Sequence, residues 1–484
     1  MIKKLILGLL ALFGLLALVL VVRAILFGSR QISAPPAERL DVDSAALLDR
    51  LSHAIQFRTV SSHDAAQMPS GEFQRFHGFL NGAFPQIGKQ LNKEIIAGHS
   101  LLYTWNGQAR DVKPILLMAH MDVVPATDQH WRHPPFSGAL VDGYVWGRGA
   151  MDDKASVMAI LEAVEHLLGN GFVPKRTVYL AFGHDEEVGG HGGAAKIAEL
   201  LRSRGVELEF VLDEGMNILK GIVPGISAPV ALIGIAEKGY LSLSLTAETA
   251  GGHSSIPPAE TVIGIVGRAL QKLEAKPFPS RLAGPTRQMF EFLGPEMAWT
   301  NKLTFANLWL FDPLVRRQLA RSPITNAAIR TTVAPTIFNA GVTDNVLPPS
   351  ATAVINLRLM PGDTIAGAVE RVRRVIDEPN IKIASLPVQM EPSSVSDVHS
   401  PSFTLIQRTI RQIAPAALVA PSLLVAATDS RHYAGLSKNI FRFLPITLGP
   451  DDTKRYHGID ERISNEDYER CVRFYAQMIR NSQP

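Results

Sequence analysis

The stretch Pro114-Ile115-Leu116-Leu117-Met118-Ala119-His120-Met121-Asp122 sets the reading of the whole chain. Its apolar run is short and bounded by proline, which predicts a buried strand ending at the histidine. His120 and Asp122 leave the same face of an extended chain, so both can reach one site beyond the strand end. There the carboxylate can hold a metal-ligating imidazole from its second ring nitrogen. A His-x-Asp pair is common by chance, and its weight comes from the motifs that follow.

Downstream, Gly147-Arg148-Gly149-Ala150-Met151-Asp152-Asp153-Lys154 is a glycine-rich turn that ends in two acids and opens a helical pattern over 155–168. A second strand pattern, 177–182, runs into Gly183-His184-Asp185-Glu186-Glu187-Val188-Gly189-Gly190. A third, 208–212, ends in Asp213-Glu214-Gly215, and Tyr456-His457-Gly458-Ile459-Asp460 adds a distant histidine. Three strand ends therefore deliver His or carboxylate to one rim of a sheet, where ligand sites of open α/β sheets lie. Imidazole and oxygen donors without thiolate favour zinc or a similar divalent ion, and the carboxylates are too many for one tetrahedral zinc. Each motif alone has a plainer reading. Glu-Glu is commonly a solvated helix start, Asp-Glu-Gly a turn, and Asp152-Asp153-Lys154 a helix cap with a salt-bridged lysine. His184 and His191 read as surface or supporting residues.

Together, five ordered motifs resemble the dinuclear zinc aminoacylase/carboxypeptidase family, which includes acetylornithine deacetylase, succinyl-diaminopimelate desuccinylase, carnosinase and carboxypeptidase S. Within it they are most similar to the branch holding carboxypeptidase S and the N-fatty-acyl-amino-acid hydrolase/synthase. The likeness spans roughly residues 40–484. It implies an α/β, mixed-sheet zinc-peptidase catalytic domain with an inserted α+β lid or dimerisation domain. It also implies two Zn2+ per chain, with Co2+ or Mn2+ as substitutes. His120 and Glu187 are then ligands of different ions, Asp152 bridges them, Asp213 completes the His120 site and His457 the Glu187 site. The resemblance alone selects Asp213 over Glu214. Asp122 orients His120, and Glu186 is the general base, carrying a proton from the water between the metals to the leaving nitrogen. Neighbouring acids can divide that labour only if their side chains diverge. The resemblance further places His253, Asn345 and Arg358 in the substrate cleft. His253 stabilises the carbonyl oxyanion, across the subunit boundary in dimeric relatives. Arg358 has the fork geometry for a substrate carboxylate, against the plainer reading of a strand-edge ion pair. The polar loop Thr428-Asp429-Ser430-Arg431-His432 is a further candidate reader of that carboxylate.

A chain of 484 residues exceeds one core, so two or three domains are expected. A net charge of +3 with interspersed signs gives no basic patch for nucleic acid. The single Cys471 excludes an intrachain disulfide and is expected buried in the last helix. Residues 5–22 carry no charge, follow Lys3 and Lys4, and are extended past Arg23 by 24–27. That length spans a bilayer, and Ser33-Ala34-Pro35-Pro36 is a poor cleavage site. The reading is a single-pass transmembrane helix through residues 5–27 with the catalytic domain extracytoplasmic (periplasmic or extracellular); a cleaved signal is the alternative. The domain expectation is 1–30 membrane anchor, 40–238 first catalytic part, 239–392 lid or dimerisation domain, and 393–484 second catalytic part. A period-two pattern over 240–247 opens the inserted unit. Strand 351–359, helix 365–376 and strand 381–390 close it, and a helix over 465–480 ends the chain. Between Lys276 and Thr336 lies a long insertion with Phe278, Phe290, Phe292, Met297, Trp299, Phe305, Trp309, Leu310 and Phe311. It reads either as a larger lid core or as a hydrophobic acyl-binding wall. The expected activity is hydrolysis of N-acyl, including fatty-acyl, amino acids or hydrophobic peptides with a free carboxylate, by a homodimer acting on a small molecule or short peptide. The alternatives are a carboxypeptidase or dipeptidase without lipid preference, and a catalytically inactive binding protein.

Overall fold

The computed structural model describes residues 1–109, 111–127 and 130–484. The opening stretch forms the strand Ile115–His120, buried at every position. Its two neighbours, Val178–Gly183 and Phe210–Asp213, run parallel to it. Parallel neighbours end on the same side, so His120, the acidic motif after Gly183, and Asp213-Glu214 meet at one rim. These strands read as continuous apolar runs because both faces are covered. Ile115, Leu117 and Ala119 join a core with Val157, Leu161 and Val164 of the helix Lys154–Gly169. Leu116 and Met118 pack instead with Ile197 and Leu201 of the helix Ala194–Ser203.

The sheet is mixed and ten-stranded. Ser100–Trp105 and Asn92–Ile96 extend one edge antiparallel. On the other side follow Ile440–Arg442, Val230–Glu237, Ile218–Leu219 and Thr447–Leu448, with Leu418–Leu424 paired parallel to Val230–Glu237. The long helix Lys154–Gly169 is buried along nearly its whole length beneath the C-terminal helix Asn465–Asn481, which also buries Cys471. Among the described residues Lys154 makes no ion pair. Its ammonium donates to the carbonyls of Ala54 and Phe57, and burial pushes its pKa down to about 7.

The period-two pattern becomes the strand Gly239–Glu248 in a separate antiparallel sheet ordered Thr332–Ala340, Ser350–Leu359, Gly239–Glu248, Ile381–Met390. Leu241, Leu243 and Leu245 face the helices Val262–Ala275 and Ile365–Ile376 and share a core with Leu357, Val266 and Val372. The chain enters this unit at Gly239, where a Cβ would lie 2.6 Å from the carbonyl oxygen of Met390 on the departing strand. The two crossings therefore press against each other.

The insertion folds as four helices, Gly284–Leu293, Trp299–Ala306, Leu308–Leu319 and Pro323–Ala327. Its last residues differ from expectation, because Thr332–Ala340 joins the second sheet as an edge strand. Pro335 falls there beside a register shift, a position that an edge strand tolerates. Phe290 and Phe305 stack at 4.4 Å above Leu282, Val315 and Ile329, while Phe292 and Met297 enter the large core. Trp299, Trp309 and Leu310 remain exposed. The N-terminal helix Ile2–Leu26 is exposed along most of its length, with Ala24 its one buried residue near the end that meets the insertion.

Candidate metal centre

The glycine-rich turn wraps a buried carboxylate that nothing local announces. Glu461 Oε1 accepts from the backbone N–H of Gly149, Met151 and Asp152 at 3.0, 2.8 and 3.1 Å, and Oε2 pairs with Arg148 at 2.6 Å. Arg148 also donates to the carbonyl of His457 at 3.2 Å. One salt bridge thus carries Asp152 and His457 to the same place from positions far apart in the chain. Asp153, joined to Asp152 by a cis peptide, turns the other way and accepts from the backbone N–H of His120.

His120 Nδ1 donates to the backbone carbonyl of Asp122 at 3.0 Å, which leaves Nε2 facing Asp152 Oδ1 at 3.0 Å. The Asp122 carboxylate stands 3.4 Å from Nδ1. Its two oxygens also accept the N–H groups of Glu186 and Glu187, each at 3.1 Å. Asp122 therefore fixes the acidic pair as well as the imidazole. Burial works to raise Asp122, but the hydrogen bond and charge of His120 outweigh it and hold the carboxyl low.

Around Asp152 the donors form two groups. His120, Asp152 and Glu214 each bring one ligand atom within 4.8 Å of the others, and so do Asp152, Glu187 and His457. His457 Nε2 lies 3.0 Å from Glu187 Oε2 and 3.2 Å from Asp152 Oδ2. Asp213, expected to complete the His120 group, is not in it. Its oxygens accept from the N–H of Ser430 and of Glu214, an arrangement that anchors the strand end. Glu214, one residue on, points its carboxylate into the cluster instead. Glu186 forms a third group with His120 and Glu187.

Charge tests whether metals fit. Asp152, Glu186, Glu187 and Glu214 converge on two histidines, and Glu187 Oε1 is buried without a partner. Burial and then the neighbouring Asp152, Asp153 and Asp213 carboxylates drive Glu214 well above the usual carboxylate range. For Glu186 burial again leads, followed by repulsion from Asp429, Glu187 and Asp152. Burial also works to raise Asp152, but hydrogen bonds from His120 and His457 hold it low, and those to Asp152 and Glu187 push His457 up to about 10. Partly buried oxygen and imidazole donors with this negative excess fit two divalent cations sharing Asp152.

The loop 428–432 does not present a free cation. Arg431 donates to the carbonyls of Thr428 and Gly189, and Ser430 holds Asp213, so the loop braces two strand ends. Asp429 beneath it is buried with neither carboxylate oxygen partnered. At Gly190 a Cβ would stand 1.7 Å from Asp429 Oδ1, so only glycine fits there. His184 is buried against Phe73 and Ser100, a packing role.

Three expected substrate residues sit on the second sheet unit, outside the described metal-ligand groups. His253 lies in, and Asn345 directly precedes a strand of, an exposed two-stranded ribbon, Gly252–His253 with Val346–Leu347, where Ser254 N–H donates to the Asn345 carbonyl. Arg358 lies on the inner strand Ser350–Leu359 with its guanidinium 4.7 Å over the Tyr240 ring. Among the described residues it has no carboxylate partner; its Nε donates to Asn356 Oδ1 at 3.3 Å, so the ion-pair reading gives way to a guanidinium stacked on Tyr240.

A sequence model of Peptidase family M20/M25/M40 matches residues 116–481. The probable carboxypeptidase S-like 2 of Dictyostelium discoideum is 45% identical over 486 residues, covering 98% of this chain and 93% of that protein. The N-fatty-acyl-amino acid synthase/hydrolase PM20D1 of Xenopus tropicalis is 42% identical over 452 residues, covering 92% and 87%. Among solved structures, the M20 family metallo-carboxypeptidase Sso-CP2 from Sulfolobus solfataricus superposes with a TM-score of 0.65 at 18% identity. The match covers 90% of this chain and 98% of that one, a likeness of fold.

Proposed function

Because this chain belongs to peptidase family M20/M25/M40, whose members hydrolyse amide or peptide bonds with a dinuclear metal centre, we propose that it is a membrane-anchored zinc hydrolase of N-acyl amino acids. The observation that carries this reading is the pair of histidine-carboxylate groups sharing Asp152. Asp152, His120 and Glu214 would hold one ion, and Asp152, Glu187 and His457 the other. Zinc bound by these residues would supply Lewis-acid polarisation of the scissile carbonyl and a more acidic water at neutral pH.

The chain's own groups do the rest. Glu186 takes the proton of the attacking water and delivers it to the leaving nitrogen, and its upward-shifted pKa suits a group that must both accept and return a proton. Asp122 keeps Glu186 and Glu187 apart by holding both backbone N–H groups. Arg358 receives the substrate carboxylate, and His253 and Asn345 serve the carbonyl oxygen side. In this reading 1–30 is the anchor, 40–238 with 393–484 the catalytic body, and 239–392 a lid that brings those three residues to the metals.

The fatty-acyl preference rests on the apolar insertion and on the activity named for the Xenopus tropicalis relative. A carboxypeptidase without lipid preference is the second reading, favoured by the name of the Dictyostelium discoideum relative. Full-length protein in detergent with zinc, presented with long-chain and short-chain N-acyl amino acids and with dipeptides, separates them. Long-chain acyl amino acids turned over at the highest kcat/KM support the proposal. Preferential dipeptide cleavage would replace it with the second reading.

A further inference from the structure

The N-terminal helix is not loosely tethered. Asn307 donates to the Leu20 carbonyl at 3.0 Å and Arg23 to the Ala306 carbonyl at 3.3 Å, so the end of the helix is pinned to the insertion. Phe27 packs against Gly294, where a Cβ would lie 2.7 Å from the Phe27 ring. Beyond it, the Gln31 side chain takes both the N–H and the C=O of Val419 on the strand Leu418–Leu424, at 2.8 and 2.9 Å. Gln407 and Arg411 then donate to the carbonyls of Arg30 and Ile32. The junction that a flexible linker would occupy is a set of hydrogen bonds fixing the body relative to the helix.

That junction decides what lies beside the helix end. The insertion helix Leu308–Leu319 starts one residue after Asn307. Its inward face, with Val315 buried and Phe311 and Leu319 packed alongside, fills the insertion's own core. Its outward face exposes Trp309, Leu310, Pro313 and Leu314, an apolar stripe at helical spacing. Arg317 and Arg321, both exposed, continue the same side. Trp299, on the preceding helix, is half-exposed as well. A soluble surface rarely gathers such large apolar side chains without a partner. Tryptophan at a bilayer boundary, with apolar neighbours below and arginines beside them, is the composition of a helix lying in the headgroup region.

We propose that the outward face of the helix Leu308–Leu319 docks on the membrane surface beside the anchor, with Trp309, Leu310 and Leu314 in the acyl boundary and Arg317 and Arg321 against anionic headgroups. This rests on the reading of residues 5–27 as a membrane anchor. It follows from where the helix end is pinned: if residues 5–22 occupy the bilayer, Leu20 and Arg23 lie at its boundary, and Asn307 holds the first turn of the stripe at that level. The body then rests on the bilayer from which an acyl substrate would partition.

The test uses the full chain reconstituted in phosphatidylcholine vesicles, with and without phosphatidylglycerol. Cys471 is buried, so Leu310→Cys and, separately, Leu12→Cys can be labelled selectively with a solvent-sensitive fluorophore. Doxyl-labelled lipids then report contact with acyl chains. The Leu12→Cys probe tests the anchor, and the Leu310→Cys probe tests the docking surface. Blue-shifted emission from position 310, quenched by shallow doxyl lipid and more strongly in anionic vesicles, is the expected result. Quenching at 12 without quenching at 310 overturns the docking while the anchor stands. A blue shift at 310 without lipid quenching, accompanied by chain-to-chain crosslinking, assigns the stripe to a second copy and also overturns it. No quenching at either position removes the anchor and the docking together. Leu314→Ser with Arg317→Ser should reduce quenching at 310 severalfold while leaving kcat/KM for a short-chain, water-soluble acyl amino acid unchanged. A variant quenched as fully as the parent would show that the stripe does not hold the surface.

Discussion

Glu186 and Glu187 show how adjacent identical residues take different work. The backbone N–H of each is held by one oxygen of Asp122, which sets the two side chains on diverging paths. Glu187 meets His457, whereas among the described residues the Glu186 carboxylate accepts no hydrogen bond and stays near His120. Replacing Glu186 by Gln should keep both metals and lower kcat by about 10²–10⁴-fold, since only the proton transfer is removed. Metal content by mass spectrometry beside steady-state kinetics checks it, and near-parental turnover would remove the base assignment. Asp213 and Glu214 pose the same question with the opposite outcome. Glu214→Gln should halve the metal stoichiometry, whereas Asp213→Asn should retain two ions and weaken the strand end that Ser430 clasps. The reverse pattern would restore Asp213 as the ligand. Proton release supplies a third check. Without metal, hydrogen bonds to Asp152 and Glu187 raise His457 to about 10, so at neutral pH the imidazole is charged. A ligand must be neutral, hence metal loading expels that proton, and apparent affinity falls as pH drops below that pKa. Calorimetry in two buffers of different ionisation enthalpy should show proton release that diminishes in His457→Gln; equal release in both would exclude His457 as its source.

At the scale of elements, the sheet rim was legible because its signals are local. A buried parallel strand is an apolar run, and the residue at its end is chemically conspicuous, so His120, the acidic pair and Asp213-Glu214 could be placed on one rim from their own neighbourhoods. Which acid of the last pair turns inward was not legible. It depends on Ser430, which arrives from a loop far along the chain. Glu461 was hidden for the same reason: it directly follows a quoted motif, yet its partners Arg148, Gly149, Met151 and Asp152 are brought to it only by the fold. The lysine after Asp153 looked like a surface ion pair and is instead buried on two carbonyls, which sequence periodicity does not distinguish. Glu461→Ala would strip the glycine-rich turn of its acceptor and leave Arg148 charged and buried. Removing one partner of such a pair costs roughly 3–5 kcal/mol. Chemical denaturation of the variant should show a loss of that order together with weaker metal retention, because the same turn presents Asp152. A variant as stable as the parent with full metal content would show that the turn is held by its own backbone.

The whole molecule joins the sheet that carries the candidate metal centre to a second sheet through two touching strands at Gly239 and Met390. His253 lies on the outermost ribbon of that second unit, exposed, with its ring nitrogen engaged by Ser255 of the same ribbon. It is outside the described ligand groups of its own chain, an arrangement suited to delivering the imidazole either by closure or to a partner's site. His253→Ala should leave folding and metal content intact and lower kcat by on the order of 100-fold, the usual effect of losing one oxyanion donor. Mixing decides between the two routes. If His253 acts across a dimer, a chain carrying His253→Ala combined with one carrying Glu186→Gln contains one site lacking both groups and one site with both intact. Activity should then return to a fraction of the parental rate once subunits have exchanged, as monitored by a fluorescent label on each partner. If exchange is complete and activity stays at the level of the single variants, the ribbon serves its own metal centre by closing over it, and the homodimer is not the catalytic unit.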